Sequence, residues 1–167
     1  MGASVSVDHS HFLDTHGDHD RRQAVNMGYV FDGVGYLWQR LEQLGIAEQT
    51  TLMIGSDFAR TPYYNADHKA ASAGKDHWPI GAYMFMGNGV AGNRVVGATD
   101  ENYNQRIINR DTLEVDDSGV KLNTAHVINA TRNMLEIESS LKAEYELGEA
   151  DSYEPDLFNP ALNTSPV

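Results

Sequence analysis

The stretch TTLMIG, residues 50–55, decides the predicted fold. It is short and apolar on both faces, which is typical of a parallel strand covered by helices on each side. Before it, residues 21–44 repeat apolar side chains at helical spacing, and residues 3–7 (ASVSV) have the composition of an earlier strand. Strand, helix and strand in this order predict a right-handed βαβ unit.

The segments that follow extend this prediction. Residues 81–86 (GAYMFM) are predicted to form a third strand, and residues 100–122 read as small antiparallel pieces. A helix is predicted over residues 124–137, capped by Asn123 or Thr124, with His126 on its surface. The predicted fold class is therefore α/β: a partial doubly wound, mostly parallel sheet with flanking helices and a small antiparallel insertion.

The domain prediction divides the chain once. Residues 1–148 are predicted to form one α/β domain, and residues 149–167 an acidic tail that contains Pro and Asn and frays. The sequence shows no pattern of a signal peptide. Since residues 1–7 already have the composition of a core strand, we expect further sequence upstream.

Composition excludes several classes of partner. The chain has 24 acidic and 12 basic residues and a net charge of -12, which argues against nucleic acid or an anionic membrane and fits a protein that binds cations. It has no Cys, so a metal would be held by nitrogen and oxygen ligands. No apolar run approaches the length of about 20 residues that spans a bilayer.

Three short polar segments gather the residues that can carry chemistry. They are DTHGDH at residues 14–19, SDFARTP at 56–62 and GKDHWP at 74–79. The first two follow strand-like runs, and the third precedes one. Because open α/β sheets bind ligands at the carboxyl ends of their strands, the segments predict one shared site.

The first segment offers ligands for a metal ion. Asp14 and His16 are two residues apart, so in extended backbone both side chains point the same way. Imidazole and carboxylate together suit zinc, manganese or iron, whereas an all-oxygen set suits magnesium or calcium. The alternative is a solvated loop in which Asp18 or Asp20 caps the following helix.

The other two segments each have a functional and a structural interpretation. Asp57 could bind a metal and Arg60 an oxyanion, or the two could form an ion pair that orders the turn. His77 could bind a metal with Asp76 orienting it, or it could simply hydrogen-bond above a packed Trp78.

Taken in order, these segments resemble bacterial secreted proteins of unassigned function in the alkaline phosphatase/sulfatase-like superfamily. The motifs that carry the resemblance are LDTH at 13–16, SDFARTP at 56–62, GKDHWP at 74–79 and GATD at 97–100, within a match over residues 3–137. The resemblance implies a doubly wound fold, export to the periplasm or the medium, and divalent metal. Zinc is the first expectation, with manganese, calcium or magnesium as alternatives.

The resemblance also implies roles for individual residues. Asp14, His16 and His77 would hold one metal and Asp57 would serve a second, although Asp57 replaces the usual Glu. Asp18, His19 and Asp76 would support these ligands by hydrogen bonds, and Arg60 would contact the oxyanion. Phe58 stands where better-known phosphatases have a histidine, which weakens the second metal site.

The implied function is a metal-dependent hydrolase of small phosphate or sulfate esters. The superfamily's nucleophile lies upstream of this match, so the chain is expected to be the C-terminal part of a longer protein, with the missing N-terminal portion as its partner. The alternative is a secreted binding or structural protein that keeps the scaffold without turnover. The substrate and the oligomeric state stay open.

Overall fold

The computed structural model describes residues 13–70, 72–137 and 155–161. The strand predicted at residues 3–7 lies outside the described residues. The predicted boundary at residue 148 also lies outside them, so the division into domain and tail stays a prediction. Within the described part of the chain, no helix is long and apolar enough to cross a membrane.

The first helix, α1, spans His19–Gln43 and agrees closely with the predicted helix. No residue of α1 is buried, and Tyr29 keeps 68% of its surface exposed. Asp18 precedes the helix with a left-handed backbone and makes no capping bond with its side chain. Gly45 ends this region at a φ of 70°, which glycine adopts without steric cost.

Four short strands follow, after a 3-10 helix at Ala47–Gln49. They are β1 (Thr51–Gly55), β2 (Ala59–Arg60), β3 (His77–Trp78) and β4 (Tyr83–Gly87). β1 pairs with β4, and β2 pairs antiparallel with β3, with Arg60 opposite His77. Contacts at the two ends show that β1 and β4 also run in opposite directions. The Ser56 N–H donates to the Ala82 carbonyl, whereas the Thr51 hydroxyl donates to the Asn88 carbonyl.

The predicted parallel, doubly wound sheet is therefore wrong. Among the described residues, the structure has two two-stranded antiparallel sheets and two helices of more than one turn. A parallel pair needs a crossover connection, usually a helix. The described part of the connection between β1 and β4 holds only the β2–β3 pair, so the chain returns beside β1 in the opposite direction.

The second helix, α2, spans Thr124–Met134 and begins with a capping box. The Asn123 side chain accepts from the His126 N–H, and His126 Nδ1 accepts from the Asn123 N–H. His126 is only 3% exposed, so its prediction as a surface residue is wrong. The reciprocal bond turns the imidazole back onto the helix start, where it is covered.

The described residues divide into two compact units. Of the described residues, one unit comprises residues 13–50, 54–70 and 72–84, and the other comprises residues 51–53, 85–137 and 155–161. The second unit buries Ile108, Val127 and Phe158. It also contains the small antiparallel pieces predicted over residues 100–122, where Ile108 bridges both Val115 and Val120. The three polar segments belong to the first unit.

Candidate metal centre

Backbone hydrogen bonds join the three polar segments to one another. The Lys75 N–H donates to the Thr15 carbonyl at 3.2 Å, and the His19 N–H donates to the Ala73 carbonyl at 3.0 Å. The Thr61 N–H donates to the Asp76 carbonyl at 2.9 Å. These bonds fix the third segment between the other two, so the predicted meeting of the segments is observed without a parallel sheet.

Gly74 permits the closest approach between two of these segments. A Cβ atom at Gly74 would lie 1.9 Å from the His16 carbonyl oxygen and 2.4 Å from the Gly17 nitrogen. Both are backbone atoms, which cannot rotate away as a side chain could. Only glycine therefore lets the first and third segments touch here.

Two buried threonines anchor the segments. Thr15 is fully buried; its hydroxyl donates to Gln23 Oε1 at 3.1 Å and lies 2.8 Å from His19 Nδ1. Burial lowers the pKa of His19, and the nearby Lys75 adds to this effect, so His19 is a neutral anchor of the loop. The Thr61 hydroxyl donates to the Tyr63 carbonyl and accepts from the Asp76 N–H. The bond from the Asp76 N–H connects the second segment to the third.

Asp14, His16 and His77 form a group that could hold a metal ion. One ligand atom from each side chain lies within 4.8 Å of the others. His16 Nε2 is 3.2 Å from Asp14 Oδ1 and 3.2 Å from His77 Nε2. The side chains of Asp14 and His16 are 61% and 44% exposed, so the group opens to solvent.

A carboxylate holds His16 from its other ring nitrogen. His16 Nδ1 lies 3.2 Å from Asp76 Oδ1, which also accepts from Asn65 Nδ2 at 3.1 Å. The bonds from Asn65 and then His16 lower the pKa of Asp76, so it is an ionised acceptor. An acceptor at Nδ1 favours the tautomer that carries its proton there and leaves a lone pair on Nε2. Asp76 thus orients His16, whereas the sequence predicted that it orients His77.

Arg60 lies beside the group with a side chain that is only 13% exposed. Its Nη2 donates to Asp14 Oδ1 at 2.8 Å, and its Nη1 lies 3.2 Å from His16 Nε2. The hydrogen bond from Arg60 is the largest cause that lowers the pKa of Asp14, which therefore stays ionised. Phe58 stacks on His77 with ring centroids 3.9 Å apart and thereby limits the tilt of that imidazole.

The donor set fits zinc or manganese better than calcium or magnesium. Two imidazoles and one carboxylate are borderline ligands, whereas calcium and magnesium prefer oxygen alone. Three protein ligands on an open surface also leave coordination positions for another molecule, as catalytic zinc sites do. Asp76 supplies the carboxylate contact that usually accompanies a metal-binding histidine.

Other predicted site residues lie apart from this group. Asp57 is exposed and does not belong to the three-residue group, so a second metal at Asp57 stays a prediction. Asp18 pairs with Arg21 one helical turn away. His19 contacts the Thr15 hydroxyl and not one of the three residues that could hold the metal.

Two residues that support the three-residue group, Asn65 and Phe58, were not predicted from the sequence. Asn65 bonds to Asp76, to the His16 carbonyl at 3.2 Å and to the Gly74 N–H at 3.0 Å. No motif around Asn65 signals this role, because it arises only when the loop closes. Phe58 was noted as a departure from a pattern rather than as a support for His77.

Comparison with known proteins assigns the chain to a family. A family model described as "Protein of unknown function (DUF1501)" matches residues 3–131, well over half of the chain, which therefore belongs to this family. No curated protein and no solved structure matches the chain.

The predicted place in the alkaline phosphatase/sulfatase-like superfamily is wrong. The matching family is one of unknown function, and none of the comparisons points to that superfamily. The short polar motifs that suggested it are explained by the antiparallel loop structure around Asp14, His16 and His77, since they meet there without a doubly wound sheet.

Proposed function

We propose that this DUF1501 member is a divalent-metal-dependent hydrolase of small anionic esters of the phosphate or sulfate class. Asp14, His16 and His77 would hold the metal, with zinc as the first expectation and manganese next. The single observation that carries the proposal is the convergence of one ligand atom from each of these residues within 4.8 Å.

The residues around the group favour a metal site that leaves coordination positions for a substrate over a structural site with all positions filled. A divalent ion held there would polarise an ester oxygen and lower the pKa of an attacking group. Asp76 keeps the His16 lone pair directed at the site, and Phe58 steadies His77. The guanidinium of Arg60 supplies positive charge beside the opening, which favours an anionic substrate over a neutral one.

Two parts of this proposal reach beyond the described residues. Export to the periplasm or the medium stays a prediction. Completion of the site by an upstream part of the same protein also stays a prediction. Both would leave the roles of Asp14, His16 and His77 as ligands unchanged.

The proposal is tested by metal content and turnover. The purified chain, loaded with zinc or manganese and freed of excess metal, should retain about one ion. Hydrolysis of aryl phosphates or aryl sulfates should be measured in the protein that includes the predicted upstream part. His77→Ala should lose the ion and the turnover. His68→Ala is the matched control, because His68 is exposed and contacts Asp67 outside the group. Equal metal content in all three proteins would refute the proposed ligands.

A second candidate function is metal-dependent binding without turnover. It is favoured by Arg60, whose two terminal nitrogens both contact acceptors within the protein. A protein that includes the predicted upstream part, retains the ion through His77 and hydrolyses neither ester class would establish this alternative. Turnover that is lost in His77→Ala and retained in His68→Ala would exclude it.

A further inference from the structure

Arg60 has both terminal nitrogens engaged within the protein. Nη1 donates to the Lys75 carbonyl at 3.2 Å and lies 3.2 Å from His16 Nε2. Nη2 donates to the Leu13 carbonyl at 3.3 Å and to Asp14 Oδ1 at 2.8 Å. Each terminal nitrogen of a guanidinium carries two N–H groups, so these four contacts use all four of them.

Two of these acceptors are also ligand atoms of the proposed metal centre. Asp14 Oδ1 and His16 Nε2 lie 3.2 Å apart and belong to the three-residue group. A carboxylate oxygen has spare lone pairs, but a neutral imidazole nitrogen has only one. His16 Nε2 therefore cannot accept from Arg60 and bind a cation at the same time.

We propose that Arg60 is a built-in competitor of the divalent cation, and that cation binding turns it into an oxyanion site. This inference rests on the proposed function. When the cation takes His16 Nε2, the Nη1 N–H that faces it loses its acceptor. The cation also draws charge from Asp14 Oδ1 and weakens its bond to Nη2, which releases that N–H to a stronger acceptor. The Leu13 and Lys75 carbonyls still hold the guanidinium in place, so the two released N–H groups stay beside the opening.

The released pair suits a particular ligand class. Two N–H groups on one planar guanidinium bind two oxygens of a single phosphate, sulfate or carboxylate group. Before the cation binds, those donors are already satisfied and Asp14 repels an anion. Cation and anion should therefore bind cooperatively, and each should raise the affinity of the other by the same factor.

The test compares zinc affinity in the wild-type chain, Arg60→Gln and Arg21→Gln by competition with a chelating dye. Arg60→Gln removes the competing positive charge, so zinc should bind on the order of tenfold more tightly. This factor corresponds to the Coulomb repulsion between one unit charge and a divalent ion in a water-like medium. Arg21→Gln removes the same charge from an exposed side chain that contacts Asp18, and its zinc affinity should match the wild type.

Sulfate is the anion probe, titrated by calorimetry with and without zinc. The wild-type chain should bind sulfate at least tenfold more tightly with zinc, and zinc-loaded Arg60→Gln should lose most of this gain. Equal zinc affinity in wild type and Arg60→Gln, or a sulfate affinity that zinc does not change, would overturn the inference while leaving the metal centre intact. Absence of zinc binding by the wild type would overturn both this inference and the proposed function.

A second variant keeps the test decisive if Arg60→Gln does not fold. Arg60→Lys keeps the charge but replaces the two-pronged guanidinium by a single ammonium. In its zinc-loaded form, the affinity for sulfate should fall several-fold below that of the wild type. Wild-type affinity for sulfate in Arg60→Lys would overturn the role of the released N–H pair.

Discussion

Gly74→Ala should separate the two segments that build the metal centre. The added Cβ would lie 1.9 Å from the His16 carbonyl oxygen, far inside van der Waals contact, and both partners are backbone. Relief requires the segments to move apart, which breaks the Lys75–Thr15 backbone bond at 3.2 Å. It also breaks the Asn65 contact with the Gly74 N–H at 3.0 Å. Two lost hydrogen bonds at about 1 kcal/mol each, with added strain, lower the free energy of unfolding by about 2–4 kcal/mol.

Urea unfolding followed by circular dichroism measures this change, and zinc affinity reports the site. Gly28→Ala is the matched control, because a Cβ at Gly28 meets nothing within 4 Å. In the interior of α1 that change should raise stability by about 0.5–1 kcal/mol, since alanine favours helix. A Gly74→Ala protein with the wild-type urea midpoint and wild-type zinc affinity would refute the close approach at His16.

Three further predictions follow from individual contacts. Asn123→Ala should lower the free energy of unfolding by about 1 kcal/mol in the same urea assay, whereas Asn123→Ser keeps the cap and most of the stability. Asp76→Asn should weaken zinc binding about 10–100-fold with little change in the urea midpoint, because it loosens His16. Bonds from Ser118 and Asn109 lower the pKa of Asp116 from 3.8 to about 2. Its stabilisation is therefore complete above pH 3.8 and is lost as the pH falls toward 2, and acid unfolding of Asp116→Asn should lack this component.

Local signals in the sequence located α1, α2, β1 and β4, but not the two-residue strands β2 and β3. The apolar repeat and Gly45 located α1, and Asn123 located the start of α2. The apolar runs located β1 and β4 within two residues of their observed bounds. These features depend on neighbours in sequence, so periodicity and capping chemistry are sufficient to find them.

Pairing between distant strands was not predictable in the same way. The apolar faces of β1 and the strand–helix–strand order favour a parallel partner, but an antiparallel strand can pair with the same apolar run. The loop that follows carries the β2–β3 pair, and this brings β4 back beside β1 in the opposite direction. The helical spacing of apolar residues located α1 but gave no information on its packing, and no residue of α1 is buried.

The sequence predicted that Asp14, His16 and His77 lie close together, but not which residues contact and support them. Asp14 and His16 were selected by their spacing, and His77 by its place in the third segment; the structure brings all three together. The contacts of Asp76 with His16 and with Asn65 depend on how two loops pack together. The spacing of residues in the sequence does not reveal this packing. Likewise, the hydrogen bonds from Arg60 to the Lys75 and Leu13 carbonyls form only in the folded chain.

X-ray absorption spectroscopy of the zinc-loaded chain identifies the atoms that coordinate the ion. We expect one zinc ion coordinated by two imidazole nitrogens together with oxygen, because ligand atoms of His16, His77 and Asp14 lie within 4.8 Å of one another. His16→Ala should leave one imidazole or release the ion. A spectrum with no imidazole scattering in the wild-type chain, or one that His16→Ala does not change, would contradict the proposed centre.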